Sequence, residues 1–245
     1  MTQRETHRIA MWSGPRNIST AMMRSWENRS DSQVVDEPFY GFYLNKTRSP
    51  HPCFDEVLQS QSSSYEQVAN ELVNGECSSN VQYQKHMTHH MLAGFDLTWA
   101  KDLQHCFLIR DPAQVVNSYT NSRGVCSVED IGIKRQFELY QEISQASGQD
   151  IPIVDSNDVL KNPERTLRLL CEKLGVPFMP KMLNWPKGGR TSDGVWAKHW
   201  YDSVENSTGF APYTEKQLQL NDEQLSVVNQ VQPFYQQLYN KRIIA

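Results

Sequence analysis

Near the start of the chain, Ser13-Gly14-Pro15-Arg16-Asn17-Ile18-Ser19-Thr20 gathers turn-forming residues, one permanent cation and two hydroxyls. Between a strand and a helix, such a loop offers an anion the unpaired amides of the helix N-terminus and the positive end of its dipole. Arg16 adds a fixed charge there, Ser19 and Thr20 add donors, and Gly14, Pro15 and Asn17 shape the turn. The loop lacks the Gly-Lys-Ser/Thr ending of a nucleotide-hydrolase P-loop, which weakens an ATP-hydrolysing reading. Farther along, Phe107-Leu108-Ile109-Arg110-Asp111-Pro112 ends an apolar run in a cation, and Ser118 follows Arg110 by eight positions. Eight residues make about two helical turns, so both side chains can close around one phosphate. A strand-end Arg paired with an acid, with Ser118 on a solvated face, is the plainer alternative.

Two places offer a base for proton transfer. Glu37 stands in Asp36-Glu37-Pro38-Phe39, and the cluster Lys85-His86-Met87-Thr88-His89-His90 lies farther on. Against Glu37 stands a helix-capping role beside Pro38. His86 and His90 are four apart and would share a helix face, as a metal pair does. No third ligand is placed by the sequence, so no metal is expected.

The elements that must position these residues follow from the pattern. Residues 8–12 form a short apolar run leading into the turn at 13–15, and Ile18, Ala21, Met22, Ser25 and Trp26 then recur with helical spacing. Residues 33–35, 81–84, 106–109 and 151–154 read as further strands, 106–109 as one buried on both faces. Pro112 suits the first turn of a helix continuing through Val115, Val116 and Tyr119. Asn162-Pro163-Glu164 supplies a cap, a first-turn proline and a first-turn acid for a helix with Leu167, Leu170, Cys171 and Leu174 inward, ended by Gly175 and Pro177. Strands alternating with helices predict an α/β fold: a three-layer sandwich around a parallel sheet of about five strands. Ligands of such sheets bind at the carboxyl ends of the strands, so the loops after strands one, two and four carry the function.

Composition bounds the rest. The chain of 245 residues, 38% hydrophobic and 21% charged, suits one α/β core, and we read residues 1–245 as a single domain. A net charge of −4 argues against nucleic acid as a partner, while a few placed cations can still serve a small anion. No apolar run approaches the roughly 20 residues of a membrane span, and residues 1–7 carry no apolar leader. The five cysteines Cys53, Cys77, Cys106, Cys126 and Cys171 are odd in number and scattered, so reduced thiols and a cytoplasmic location are expected.

With these residues in view, the chain resembles the sulfotransferase superfamily, whose 5′-phosphosulfate loop commonly reads Pro-Lys-Ser-Gly-Thr-Thr. Pro15-Arg16-Asn17-Ile18-Ser19-Thr20 occupies that place, with Arg16 for the lysine, and is similar to the Ser-Gly-Pro-Arg-Asn-x-Ser-Thr loop of a bacterial sulfotransferase-like group. Arg110 and Ser118 have the separation of the superfamily's 3′-phosphate site. Residues 158–177 are similar to its fifth-strand segment and following helix. Residues 187–198 look like its glycine-and-lysine loop over the 3′-phosphate, which adds Gly194, Trp196 and Lys198 as contacts. The likeness runs from about residue 8 to residue 200 and leaves out the last 45. It implies a P-loop-containing nucleoside triphosphate hydrolase-like fold, 3′-phosphoadenosine 5′-phosphosulfate as donor and no required metal. Ala21 stands where the family's adenine-stacking Trp is usual, and the usual Tyr after strand five is absent.

Sulfuryl transfer also needs cations for the charge that builds on the leaving oxygen. Some relatives use a Glu after strand two, and cytosolic ones carry Lys-x-His after strand three. Here His follows Lys85 directly and again at 89 and 90, so the register is open; Lys85 is expected to face the leaving group or the acceptor. Glu37 is preferred over His86 or His90 because it directly follows a strand. A small hydroxyl or amine compound is the expected acceptor, and Tyr40, Phe42, Phe95 and Trp99 are candidates for its pocket or for core. The alternatives are a P-loop kinase of a small metabolite, for which Asp111 is the one candidate magnesium ligand, and a nucleotide-binding relative without turnover.

Overall fold

A computed structural model describes residues 6–215 and 217–244 of the chain. Residues 1–5, which carry most of the segment read as lacking a leader, lie outside the described residues. Five parallel strands, β1 (His7–Ser13), β2 (Ser32–Asp36), β3 (Val81–Met87), β4 (Gln104–Ile109) and β5 (Ile153–Asp155), pair in the order β2-β3-β1-β4-β5. Helices cover both faces. Ala10 and Trp12 of β1 point into one apolar layer with Phe107 and Leu139, whereas Ile9 and Met11 point into the other with Met22 and Leu170. The expected three-layer α/β sandwich is therefore present. The chain runs outward from β1 to β2, returns through β3 and crosses to β4 on the other side of β1. The direction of winding thus changes beside β1, where ligand crevices form in such sheets.

Strand β3 is longer than its sequence suggests because its polar residues are buried with partners. Gln84 Nε2 donates to Leu72 O at 2.9 Å and to Gln82 Oε1 at 2.8 Å, and Arg8 Nη1 donates to Gln82 Oε1 at 2.8 Å. Paired in this way, buried amides cost little, so alternation of apolar and polar residues stops being a guide.

The helices begin where their caps are. Asp111 Oδ1 accepts from Gln114 N at 3.1 Å and Pro112 opens the helix Pro112–Arg123. Asn162 Oδ1 accepts from Arg165 N at 3.2 Å ahead of Pro163–Lys173, whose Leu167, Leu170 and Cys171 are buried as expected. The helix Asp222–Tyr239 packs on Pro112–Arg123 and Ile133–Ser147, and Tyr235 Oη donates to Asp155 Oδ2 at 2.9 Å at the end of β5. Phe42 is core, and Phe95 and Trp99 pack partly buried against the same cluster. None of the described helices is long and apolar enough to cross a membrane.

Candidate active site

A cavity of about 450 Å³ opens at the carboxyl ends of the strands, and the loop after β1 forms its floor. Gly14 is held to glycine by space: a Cβ there would stand 2.9 Å from the carbonyl oxygen of Ile131. Arg16 (φ 63°) and Ile18 (φ 57°) both take the left-handed conformation, with Asn17 between them. Such alternation turns successive N–H groups toward one point and makes an anion-binding concavity. The helix Ser19–Glu27 that follows has no side-chain cap at Ile18, so its first amides open toward the same place. Asn17 Nδ2 donates to Leu108 O at 3.0 Å and Ser156 Oγ donates to Asn17 O at 3.1 Å, which pins the loop to β4 and to the helix after β5. Asn17 Oδ1 is buried without a partner in the cavity wall.

The loop meets the second signature here. Arg16 Nε donates to Ser118 Oγ at 3.0 Å, Arg110 Nη1 to Arg16 O at 2.6 Å and Arg110 Nε to Gln114 Oε1 at 3.1 Å. These partners are a hydroxyl, a carbonyl and an amide, not a carboxylate, so neither guanidinium is neutralised through them. Burial lowers the pKa of Arg16, and nearby Arg123 lowers it further; burial and then Arg16 do the same to Arg110. Asp155 and Asp111 offset this at Arg110 only in part, and a bound anion would relieve the remaining repulsion between the two cations.

A different cluster lies on the wall toward β2 and β3. Lys85 Nζ is buried and donates to Glu37 Oε1 at 2.5 Å, to Asp36 Oδ1 at 2.9 Å and to Tyr201 Oη at 2.7 Å. Tyr201 Oη reaches Asp36 Oδ2 at 2.7 Å, and Gly194 N donates to the same oxygen at 3.1 Å. Burial pulls the Lys85 ammonium down, but Asp36 and Glu37 outweigh it and hold it well above its ordinary value. Burial pushes the Glu37 carboxyl up, Lys85 pulls it back only in part, and Asp36 adds to the rise. Glu37 caps no helix; its backbone is held at φ 44°, in the left-handed region that costs a non-glycine residue energy. His90 Nδ1 lies 3.9 Å from Glu37 Oε2, and its ring stacks on Tyr40 and Tyr43 at 4.4 and 4.9 Å. The Nδ1 atoms of His89 and His90 are buried without partners.

The other expected positions separate. Ser19 and Thr20 line the cavity beside Pro15, Arg16 and Asn17. His86 points to the opposite face of β3 from Lys85; it stacks on Trp12 at 4.3 Å and its Nε2 bonds Gln84 Oε1 at 3.1 Å. Its pKa is pushed down to about 3 by burial and then by His105. His86 and His90 therefore share no helix face, because β3 extends to Met87 and places His86 in the strand. Lys85 lines the cavity, but all three of its protons are engaged within the protein, so it does not stand free toward a leaving group.

None of residues 187–198 lines the cavity that Arg110 lines. Trp196 is buried in the core with Nε1 donating to Tyr201 Oη at 3.1 Å, and a Cβ on Gly194 would stand 2.1 Å from the Trp196 ring. Lys198 pairs with Glu56 at 2.7 Å on the surface. Arg24 holds this stretch through Asp193 with two bonds of 2.6 Å. The cavity is closed instead by residues between 200 and 211, including Trp200, Tyr201, Val204 and Phe210. No resemblance marked Tyr201; the one signal was a tyrosine a few residues past a glycine-rich basic stretch. Asp36 sat in view beside Glu37. Ala21 lines the cavity where a stacking Trp was absent, and Trp200 with Arg123, 4.3 Å above its ring, supplies aromatic surface at the mouth.

Residues 7–242 match the sequence model of a family described as "Sulfotransferase domain". The match reaches 42 residues beyond the end of the likeness read from motifs, because the C-terminal helix packs on the sheet without carrying a motif. Two Arabidopsis thaliana proteins, "Branched-chain-amino-acid aminotransferase-like protein 1" and its namesake 2, are 36% and 32% identical over 203 residues, or 83% of this chain. The chain spans 36% of the length of these relatives. The sulfotransferase from Alicyclobacillus acidocaldarius superposes with a TM-score of 0.56 at 10% identity, covering 98% of both chains. The sulfotransferase domain from the curacin biosynthetic pathway does so at 0.53 and 16%, covering 94% of this chain and 99% of that one. At these identities the likeness is one of fold.

Proposed function

The chain belongs to the sulfotransferase domain family and has its P-loop nucleoside-triphosphatase-like fold, and on that premise we propose that it moves a sulfuryl group from 3′-phosphoadenosine 5′-phosphosulfate to the hydroxyl or amine of a small molecule. The observation that carries the reading is the junction of Arg16, Arg110 and Ser118 beside the left-handed loop, in one cavity. The donor has an anionic group at each end of its ribose. The amides of residues 16–20 with Arg16 and Ser19 suit the 5′-phosphosulfate, and Arg110 with Ser118 suits the 3′-phosphate.

In this proposal the acceptor oxygen or nitrogen attacks sulfur in line with the bridging oxygen of the donor. A new bond to sulfur forms, the bond from sulfur to the bridging oxygen breaks, and the 5′-phosphate leaves with the electron pair. Arg16 and the loop amides stabilise the charge on that oxygen. Glu37 accepts the acceptor's proton; burial raises its proton affinity above that of an ordinary carboxylate, which makes it a stronger base. Lys85 acts on Glu37 by orienting it. His90, neutral and with a free Nδ1 beside Glu37, orients the incoming hydroxyl. His86 has no part in transfer. The kinase alternative loses support because Asp111, its candidate metal ligand, is spent as the cap of the helix Pro112–Arg123.

Conversion of the donor to 3′-phosphoadenosine 5′-phosphate, followed without divalent metal in the presence of a panel of phenols, alcohols and amines, tests the proposal. Acceptor-dependent release of the nucleotide is expected. Phosphate transfer from ATP with magnesium to the same panel, with no release from the sulfated donor, would establish the kinase reading instead.

A further inference from the structure

Two carboxyl groups and one ammonium are buried together at the end of β2, and their hydrogen bonds divide them unequally. Asp36 receives three partners: Lys85 Nζ at 2.9 Å, the Tyr201 hydroxyl at 2.7 Å and Gly194 N at 3.1 Å. Glu37 receives Lys85 Nζ at 2.5 Å and lines the cavity, and the Tyr201 hydroxyl beside it exerts a smaller pull that favours its ionised form. Tyr201 Oη is itself fixed by Trp196 Nε1 at 3.1 Å and by Lys85 at 2.7 Å. Resting on the reading of Glu37 as base, we propose that Asp36 and Tyr201 are positioning residues that set the proton affinity of Glu37 through their hold on Lys85.

The coupling is electrostatic. Asp36 is a second negative charge beside Glu37 and competes with it for the same ammonium, so it opposes ionisation of Glu37. The Tyr201 hydroxyl, donating to Asp36, offsets part of that charge and weakens Asp36's claim on Lys85, and it also favours the ionised form of Glu37 directly. Removing one or the other should therefore move Glu37 in opposite directions, which loss of packing would not do. The remaining polar groups around Glu37 are His90 at 3.9 Å from the 3₁₀ turn Thr88–His90 and Tyr40 from the helix Tyr40–Thr47, whose hydroxyl bonds His51 at 2.5 Å. Neither reaches Lys85, and both stay in place in the variants below. Tyr201 also belongs to the stretch that closes the cavity. One hydroxyl thus links closure of the wall to readiness of the base.

The test needs no acceptor. The full chain, labelled with ¹³C at glutamate carboxyls, is titrated by nuclear magnetic resonance, with the Glu37 signal assigned by its loss in Glu37→Gln. Asp36→Asn should lower the Glu37 midpoint by about 1 pH unit and Tyr201→Phe should raise it by about as much. Heat stabilisation by 3′-phosphoadenosine 5′-phosphate, retained in each variant, establishes that the fold is intact. Midpoints that stay at the wild-type value, or move in the same direction, overturn the proposal. Should Asp36→Asn fail to fold, Tyr201→Phe decides alone, by its rise or its lack of one. Full donor turnover in Glu37→Gln would instead remove the base reading and leave the titration result standing.

Discussion

Arg110 donates from Nη1 to the carbonyl oxygen of Arg16 at 2.6 Å, across 94 positions of sequence. That bond joins the loop after β1 to the end of β4 and holds two guanidinium groups in one cavity. It ties together the two sites proposed for the phosphates, so that under the proposed function a nucleotide with both would meet them at a set spacing.

Arg110→Ala should remove the proposed 3′-phosphate contact, while the loop after β1 keeps its other ties, Asn17 Nδ2 to Leu108 O and Ser156 Oγ to Asn17 O. Charge-assisted contacts of this kind contribute roughly 1.5–3 kcal/mol, or about one to two decades in affinity. Comparing the variant's affinity for adenosine 3′,5′-bisphosphate and adenosine 5′-phosphate is the check; near-equal values are expected, against a wild type that prefers the former.

Arg16→Ala and Glu37→Gln should separate binding from chemistry. Arg16 touches both the proposed phosphate sites, so its loss lowers nucleotide affinity and turnover together. Glu37→Gln should lower turnover by roughly two to four decades and leave nucleotide affinity near the wild-type value. Calorimetry and single-turnover assays on the two proteins distinguish these outcomes; a loss of affinity in Glu37→Gln comparable to that in Arg16→Ala would contradict the division.

Much of this arrangement was legible in the sequence. The strand, turn and helix at residues 8–26 and the capped helix after Arg110 follow from local patterns that tertiary packing did not override. Cluster membership was harder. His86 and Lys85 are neighbours in sequence, yet a strand sends alternate side chains to opposite faces, and the polar character of β3 hid that the strand read over 81–84 runs on through Lys85 and His86 to Met87. Trp196 and Lys198 looked like parts of a phosphate lid because they flank glycine, but Gly194 serves the packing of Trp196. The partnership of Asp36 with Tyr201 spans 165 positions, and no local pattern carries it.

Lys198→Ala should leave nucleotide affinity unchanged, since Lys198 pairs with Glu56 on the surface and lies outside the cavity. A fall in 3′-phosphate preference in this variant, measured by the same titrations, would return Lys198 to the site.

The chain should lose stability as pH falls from about 7 toward 5. Burial, with smaller repulsions from neighbouring cations for some, holds His86 and His89 down to about 3 and His105 to about 4, and holds His90 well below its ordinary value. In the unfolded chain these rings take protons near pH 6.5 that the folded chain refuses, so stability rises with pH across that window, by about 1.4 kcal/mol per unit for each proton difference. Asp155, raised by burial to about 6, and Glu37, also raised, act in the opposite sense, but they are two against four. Melting temperatures at pH 7.5, 6 and 5 should fall in that order, and a flat or rising series would contradict the burial of neutral imidazoles.

The central claim is a nucleotide site built for two phosphates without a metal, and calorimetric titration of the wild-type protein in the presence of a chelator tests it most directly. The account predicts that adenosine 3′,5′-bisphosphate binds at least about tenfold more tightly than adenosine 5′-phosphate, one charge-assisted contact being worth that much. Equal affinities, or binding that appears only when magnesium is restored, would contradict it.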